Sequence, residues 1–500
     1  MLMSYRDYLE TAGRKASKPA FGRTELPLML NRGQVGFTDT TGFHIYCELR
    51  PTAKFESAES DAKALKYLQV IEEYVNHGVR AATPFGVVLL ELQGNVLHFY
   101  KPGDAAVQPA IEAIQFVYLF TTTLYEELKP ELGDEWDGFA SCMMHGRSIV
   151  VRHGSFHSAS AVSLGPAANE PAKQLLYGKT PAGCLDVPGV WAKELELPPA
   201  GKWVTINLRG RDRVPFLNRV ENQQRRQELL SLIREYRAVA NRKTIQRVSL
   251  IENRQLFDPS GFTLTSPHRV QAFCLRSDLD GFSAVLKEVF EQKNDKAVER
   301  VALGFAEILE FGDYMERSTP GSIRLPWAGD CATLLVPHSP DFSLASLPRW
   351  LEVALKWQSF ADGTPEASVR NWGSIFKSVR WAIGACHGEA GMNVVAPIQA
   401  QGRSFLVGAG WPVATSLDAQ NLGKGGDIVT HNIDFANLDT PTRKQFAKVE
   451  NTEFWRTTNL NKEKLKKSAI EVGQPQAPVG EDYLAKYRSI QVPSPRPHYQ

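Results

Sequence analysis

Residues 273–283 read Phe-Cys-Leu-Arg-Ser-Asp-Leu-Asp-Gly-Phe-Ser. An apolar run typical of a strand, Val270–Leu275, precedes Asp278, and the glycine that follows introduces a helical pattern over Phe282–Gln292. Further along the chain, two more apolar runs flank Gly329-Asp330, which predicts a hairpin with the aspartate at its tip. The order of strand, helix and hairpin predicts an α+β fold in which helices cover one face of an antiparallel sheet.

The first half of the chain has the same order of patterns. Phe43–Leu49 is typical of a strand and Asp61–His77 of a helix, while Phe85–Leu92 and Asn95–Tyr100 predict a hairpin across Gln93-Gly94. Three short motifs also recur in order: Gly103-Asp104 with Gly329-Asp330, His145-Gly146 with His387-Gly388, and Gly165 with Gly410. This internal repeat predicts two copies of one domain.

The domain boundaries follow from the repeat and from shifts in composition. We expect an N-terminal extension over 1–35, a first domain over 36–180, a linker with a charged helix over 181–255, a second domain over 256–460, and a polar, proline-rich tail over 461–500.

The composition is that of ordinary globular domains, with 43% hydrophobic and 22% charged residues. A formal net charge of +2 gives no indication of a nucleic-acid partner. No apolar run reaches the roughly 18 residues of a membrane span, so no membrane partner is expected either. The 6 cysteines are widely spaced and the N-terminus lacks an apolar signal segment, which favours reduced thiols and a cytoplasmic location.

The order of motifs resembles that of the class III adenylate and guanylate cyclases. That family has an aspartate that opens a Gly-Phe-Ser/Thr turn, a hairpin with Gly-Asp at its tip, a His-Gly strand, and a Gly-x-x-x-Asn-x-x-x-Arg segment. Here Asp278 and Asp330 match the first two motifs in the second domain, and Gly165, Asn169 and Lys173 lie in the register of the last one in the first domain. The resemblance implies two ferredoxin-like (βαββαβ) cyclase-homology domains that form a pseudo-twofold intramolecular dimer.

The two copies depart from the family pattern in complementary ways. The first domain has Glu48 or Cys47 where the opening aspartate is expected, although Asp104 remains. The second domain has Ala414 and Asp418 where the asparagine and arginine are expected. The resemblance therefore implies one composite active site between the domains.

The resemblance assigns Asp278 and Asp330, with Leu279, as ligands of two Mn²⁺ or Mg²⁺ ions, because hard cations prefer oxygen ligands. The turn that contains Leu279, Gly281, Phe282 and Ser283 would bind the phosphates through free helix N–H groups. Asp280 would either repel the triphosphate or act as an additional metal carboxylate.

Asn169 and Lys173 are the two expected catalytic residues. Asn169 would orient the ribose, and Lys173 would stabilise charge on the α-phosphate in place of the family arginine. Lysine lacks the bidentate guanidinium of arginine, and Pro171 between the two residues departs from the family pattern. Asn169 could alternatively cap a helix that begins after it.

The base-reading residues of the family lie four positions before the hairpin aspartate and seven before the asparagine. Counted from Asp104 and Asn169, these positions hold Tyr100 and Val162. Adenylate cyclases have a lysine and an aspartate there, and guanylate cyclases a glutamate and a cysteine. A tyrosine would fill the space behind a smaller ring, which resembles the bacterial pyrimidine cyclases of Pycsar anti-phage systems.

The expected reaction is therefore conversion of a nucleoside triphosphate, with UTP or CTP favoured, into a 3′,5′-cyclic nucleotide and pyrophosphate. Its product would act on a downstream cyclic-nucleotide effector in anti-phage signalling. The alternatives are an adenylate cyclase and an inactive pseudo-cyclase that binds nucleotide. The chain would act as a monomer with pseudo-dimeric domains or as a homodimer.

Overall fold

The computed structural model describes residues 21–50, 61–134, 136–153, 161–176, 178–198, 201–209, 217, 220–240, 249–251, 268–292, 294–319, 322–337, 348–362, 380–386, 392–400, 403–409 and 411–457. They form two mixed sheets, each packed against helices, so the α+β class and the duplication are confirmed. Among the described helices, none has the length and apolar character needed to cross a bilayer.

The first sheet has the strand order β2-β3-β1-β4-β6-β7, with β5 paired to β4. Only the β4–β6 pair is parallel among these described neighbours. The strands are β1 (Gly36–Arg50), β2 (Val88–Gln93), β3 (Val96–Pro102), β4 (Gly138–Arg152), β5 (Val162–Leu164), β6 (Cys184–Pro188) and β7 (Trp203–Asn207).

Helices cover one face of this sheet because alternate residues of its central strand are apolar. Phe43, Ile45, Cys47 and Leu49 of β1 point into one core with residues of the helices. The helices of this half are α1 (Leu26–Arg32), α2 (Asp61–Ala82), α3 (Val107–Leu132), α4 (Pro166–Leu176) and α5 (Val220–Ala240).

The second sheet repeats this plan with the strand order β10-β11-β9-β12-β15-β17-β16. Strand β13 pairs with β14 and β9, and β8 also pairs with β9. The strands are β8 (Ser249–Ile251), β9 (His268–Asp280), β10 (Ile323–Arg324), β11 (Ala332–Pro337), β12 (Arg380–Cys386), β13 (Met392–Ala400), β14 (Arg403–Ala409), β15 (Ile428–His431), β16 (Phe446–Lys448) and β17 (Phe454–Thr457). The helices are α6 (Phe282–Glu291), α7 (Asp295–Ser318), α8 (Arg349–Asp362), α9 (Trp411–Leu422), α10 (Asn432–Ala436) and α11 (Thr440–Arg443).

The first domain extends beyond the boundary expected at residue 180. Strands β6 and β7 continue its sheet, and α5 packs on its core through Leu229 and Ile233. Much of the expected linker over 181–255 is therefore part of the first domain. The expected tail over 461–500 lies outside the described residues.

The repeat pairing of Gly103-Asp104 with Gly329-Asp330 is wrong. Gly103 follows the end of β3, whereas the β2–β3 hairpin turns at Gly94-Asn95, one residue beyond the Gln93-Gly94 turn that the sequence predicts. Gly94-Asn95 lies between the paired residues Gln93 and Val96, as Gly329-Asp330 lies between the paired residues Ala328 and Cys331, so Asn95 is the structural counterpart of Asp330. The error arose because a Gly-Asp dipeptide is common at strand ends, while the true counterpart lost its aspartate.

Each domain completes the hydrophobic core of the other. Ile149, Val151, Val162 and Leu164 of β4 and β5 belong to one core with the helices of the second domain. Reciprocally, Ile398, Ala400, Phe405 and Val407 of the β13–β14 hairpin belong to the core of the first domain. The two domains therefore form one pseudo-symmetric pair in which each lends a hairpin to the other.

Two arginines link the domains through polar contacts. Arg403, buried at 4% exposure, donates from Nη1 to the main-chain oxygen of Leu90 at 2.9 Å and from Nη2 to that of Leu89. Arg147 binds both carboxylate oxygens of Asp39 in its own domain and, at 2.6 Å, Asp295 of the second domain. These contacts fix the two domains relative to each other in addition to the apolar packing.

Replacing Gly384 by alanine should destabilise the second domain by about 1–3 kcal/mol, because a Cβ there would lie 2.3 Å from the Ser416 oxygen and 2.4 Å from the Gln420 nitrogen of α9. The thermal unfolding midpoint should fall by several degrees. Gly201→Ala is the matched control, since a Cβ at Gly201 would meet nothing within 4 Å. Equal midpoints for the two variants would contradict the close packing of α9 on β12.

Candidate functional site

Asp278 and Asp330 lie side by side at the end of the central strands of the second sheet. Ser277 pairs with Ala332 in the β9–β11 ladder, so the next step places Asp278 opposite Cys331, directly after Asp330. Both aspartates are partly exposed. The strand end and the hairpin tip thus bring the two predicted metal ligands together.

The two carboxylates repel each other. Burial raises the pKa of Asp330 well above its usual value, and the charge of Asp278 raises it further. Burial also raises the pKa of Asp278, against the opposing effect of the Arg276 guanidinium. Such a pair favours a bound cation, because a positive ion relieves repulsion between like charges held close together.

Lys173 of the first domain lies close to this pair. Its positive charge lowers the pKa of both Asp278 and Asp330, which are residues of the second domain. The helix that provides the lysine, α4, packs against α6, which follows Asp278 in the chain. Residues from both domains therefore meet at one site.

Asn169 lies one helical turn before Lys173 on the same side of α4. The helix begins with Pro166, directly after Gly165 at φ +136°, and the Asn169 amide donates to the Gly165 oxygen at 2.9 Å. The alternative in which Asn169 caps the start of a helix is therefore wrong, since Asn169 lies inside the first turn. Pro171 is accommodated within the helix.

The turn after Asp278 opens α6 as predicted. Gly281 is in the left-handed region at φ 89°, Phe282 is fully buried, and α6 begins two residues after the end of β9. Asp280 points elsewhere, because its Oδ2 accepts from the amide of Gly425 at 2.8 Å. Asp280 thus stabilises a neighbouring turn.

The residues present fit a divalent metal. Two carboxyl groups with raised pKa values lie next to each other, and Leu279 directly follows Asp278 in β9. Among the described side chains, no group of three or more His, Cys, Asp and Glu residues has the geometry of a metal cluster. The described side chains that could hold a metal here are therefore the two carboxylates of Asp278 and Asp330.

The corresponding positions of the other copy have lost these groups. Glu48 points to the same face of β1 as Asp278 does in β9, but it pairs with Arg50 at 3.2 Å, and Asn95 replaces the hairpin aspartate. In α9, Asp418 occupies the position that Lys173 occupies in α4, and it is exposed. His145 donates from Nε2 to the main-chain oxygen of Gly103 at 3.0 Å, and its counterpart His387 lies outside the described residues.

The turn at Gly94-Asn95 changes which residue occupies the first base-reading position of the family register. Counted from Asn95 instead of Asp104, the position four residues earlier is Glu91 and not Tyr100. Tyr100 is fully buried against α1, and its hydroxyl forms a 2.5 Å hydrogen bond with Thr40. Val162 is also buried, in the core that the two domains share.

Glu91 is the functional candidate that sequence reasoning missed. It is fully buried, Gln93 donates to its Oε2 at 2.6 Å, and its Oε1 has no hydrogen-bond partner among the described residues. Burial raises its pKa to about 8, against the opposing effects of Gln93 and of Arg403 from the second domain. The hairpin across Gln93-Gly94 was the signal that could have identified it.

No protein-family model matches the chain, and no curated protein matches it in sequence. A class III adenylyl cyclase-like ATP-binding protein from Pseudomonas aeruginosa superposes on 93% of this chain and 98% of its own, at 15% identity and a TM-score of 0.69. The guanylyl cyclase Cya2 matches 38% of this chain and 93% of its own at 16% identity and a TM-score of 0.27. The first of these likenesses shows that the chain has the two-domain fold of a class III cyclase-like protein.

Asp330→Asn should raise the thermal midpoint of the metal-free protein at about pH 7.5, because it removes one of two repelling charges. The folded-state pKa of Asp330 is raised above the unfolded value of about 3.9, so its cost in folding free energy is absent below about pH 4, grows as the pH rises towards the folded pKa, and stays constant above it. The difference between variant and wild type should therefore vanish on acidification.

Mn²⁺ at about 100 times its dissociation constant should stabilise the wild type by about 2.7 kcal/mol and leave Asp330→Asn much less affected. Asp104→Asn is the control, since Asp104 is exposed at the opposite end of β3. Equal responses of Asp330→Asn and Asp104→Asn to pH and Mn²⁺ would contradict the assignment of the metal site.

Proposed function

We propose that this protein is a metal-dependent nucleotidyl cyclase that converts a nucleoside triphosphate into a 3′,5′-cyclic nucleotide and pyrophosphate. The observation that supports it most is the proximity of Lys173, from the first domain, to Asp278 and Asp330, from the second. Neither domain alone has both the carboxylates and the cation.

The site's own residues would divide the reaction as follows. Asp278 and Asp330 would hold the divalent ions, and such ions, when bound, would supply activation of the 3′-hydroxyl and neutralisation of the leaving pyrophosphate. Asn169 orients the ribose so that the hydroxyl lies in line with the α-phosphorus. Lys173 stabilises the negative charge that grows on the α-phosphate oxygens, and the first amides of α6 bind the remaining phosphates.

Glu91 favours guanine as the base of the nucleotide substrate. The Glu91 carboxyl has one oxygen without a hydrogen-bond partner among the described residues, which suits a base that presents N–H donors, and guanine offers two at adjacent ring positions. Such donors favour the ionised carboxylate and would lower the raised pKa of Glu91. Guanylate cyclases, by the resemblance, have a glutamate in this register. The Glu91 side chain has 0% exposure. Some of the residues that bury it must therefore move before a base can contact it.

The preference for a pyrimidine base depends on Tyr100 as the base-reading residue. UTP and CTP are therefore kept as alternative substrates in the assay. An anti-phage role, and an effector for cyclic UMP or cyclic CMP, would follow only from a pyrimidine product. ATP-binding without turnover is the second candidate function, which the full-length likeness to the cyclase-like ATP-binding protein and the proline within α4 favour.

Incubation with ATP, GTP, CTP and UTP, each with Mn²⁺, followed by mass spectrometry, should give a cyclic nucleotide, with cyclic GMP the largest product. Asp330→Ala should abolish it without unfolding the protein, because the residue is a partly exposed metal ligand. Retained turnover by Asp330→Ala would overturn the composite site. Nucleotide binding with no cyclic product would favour the pseudo-cyclase.

Lys173→Ala should lower kcat by about 10²–10³-fold, as expected for loss of one group that stabilises charge in the transition state. Lys173→Arg should raise kcat, because a guanidinium can bind two phosphate oxygens at once. Lys179→Ala is the control for general loss of positive charge near α4. An unchanged kcat in Lys173→Ala would exclude the lysine from the reaction.

A further inference from the structure

Asp186 connects α4 to the sheet beneath it. This residue of β6 has 1% exposure, and its Oδ2 accepts from Gln174 Nε2 at 2.8 Å and from Thr180 Oγ1 at 2.7 Å. Its Oδ1 accepts from Thr205 Oγ1 of β7 at 2.6 Å. Gln174 directly follows Lys173, so the carboxylate holds the helix next to the residue that reaches the second domain.

The helix needs an external restraint at this point. Pro171 has no amide hydrogen and cannot donate to Ala167 four residues earlier, which weakens α4 before Lys173. The half before Pro171 has its own contact, since Lys202 binds Glu170 at 2.5 Å. The half after Pro171 is held by the Asp186 bond to Gln174 and by the packing of Leu175 on the sheet.

The other copy of the domain provides an internal comparison. Gln174 is the ninth residue of α4, and Ala419 is the ninth of α9. Asp186 pairs with Cys142 as Val429 pairs with Gly384 in the equivalent parallel ladder. The second domain, which lacks the asparagine and the cationic residue, thus has the buried apolar residues Ala419 and Val429 at these two positions. The first domain has the hydrogen-bonded residues Gln174 and Asp186 there.

We infer that Asp186 is a positioning residue that, through Gln174, holds the C-terminal half of α4 so that the Lys173 ammonium stays beside Asp278 and Asp330. The inference rests on the proposed function, because it assigns a role in the same site. Asp186 and Gln174 act only through Lys173.

Gln174→Met tests this inference, because methionine keeps the length of the side chain and removes the donor to Asp186. It should lower kcat for the cyclised nucleotide by about tenfold with KM nearly unchanged, since a small displacement of a catalytic group affects the transition state most. In the Lys173→Ala background the same change should cost less than about twofold, because the displaced group is already absent. Thr205→Val, which removes only the β7 hydrogen bond, should leave kcat within about twofold of the wild type.

Hydrogen exchange separates this inference from the proposed function. The amides of residues 172–176 should exchange faster in Gln174→Met than in the wild type, while those of residues 167–170 should not change. Unchanged exchange at 172–176, or an equal loss of kcat in both backgrounds, would overturn the positioning role. A wild type that forms no cyclic product would overturn the proposed function, and the exchange data would still decide whether Asp186 holds α4.

Discussion

The exchange of hairpins between the two domains is the constraint on which the site depends. The β4–β5 arm fills the core of the second domain, and the β13–β14 hairpin fills that of the first. Burial of these apolar side chains stabilises one relative placement of the domains, at roughly 25 cal/mol for each Å² removed from water. Because α4 follows β5 directly, the same packing sets the distance between Lys173 and the two aspartates.

The charges of the site are offset only when the two domains are packed together. Two adjacent carboxylates in one domain raise each other's energy, and the cationic groups that offset them are Arg276 from the same strand and Lys173 from the other domain. Such a site is costly to hold without a ligand and is relieved by positive charge. The fold therefore holds the carboxylates of Asp278 and Asp330 in mutual repulsion, and binding of a cation would be favoured because it relieves that repulsion.

Much of the fold could be predicted from the sequence, because strand and helix periods and the order of repeated motifs are local signals. Asp278, Asp330 and the turn at Gly281 were found because a strand end, a hairpin tip and a helix start each have their own pattern. The match of Gly103-Asp104 failed, because dipeptides do not reveal which strand pairs with which. The base position then moved from Tyr100 to Glu91, whose significance depends on burial and an unpartnered oxygen. Strands β6 and β7 lie where the sequence predicts a linker, because short strands between prolines and glycines leave little periodic signal.

Arg403 and the apolar side chains around it come from a hairpin more than 150 residues beyond the end of α5. During synthesis at about 5–20 residues per second, the first half of the chain would emerge on the order of 10 s before the segment that completes its core. For that interval an apolar cleft is open on the nascent protein, and it is exposed to chaperones and to other chains. The same hairpin exchange that brings the site residues together thus makes the nascent chain more prone to aggregation than the folded protein.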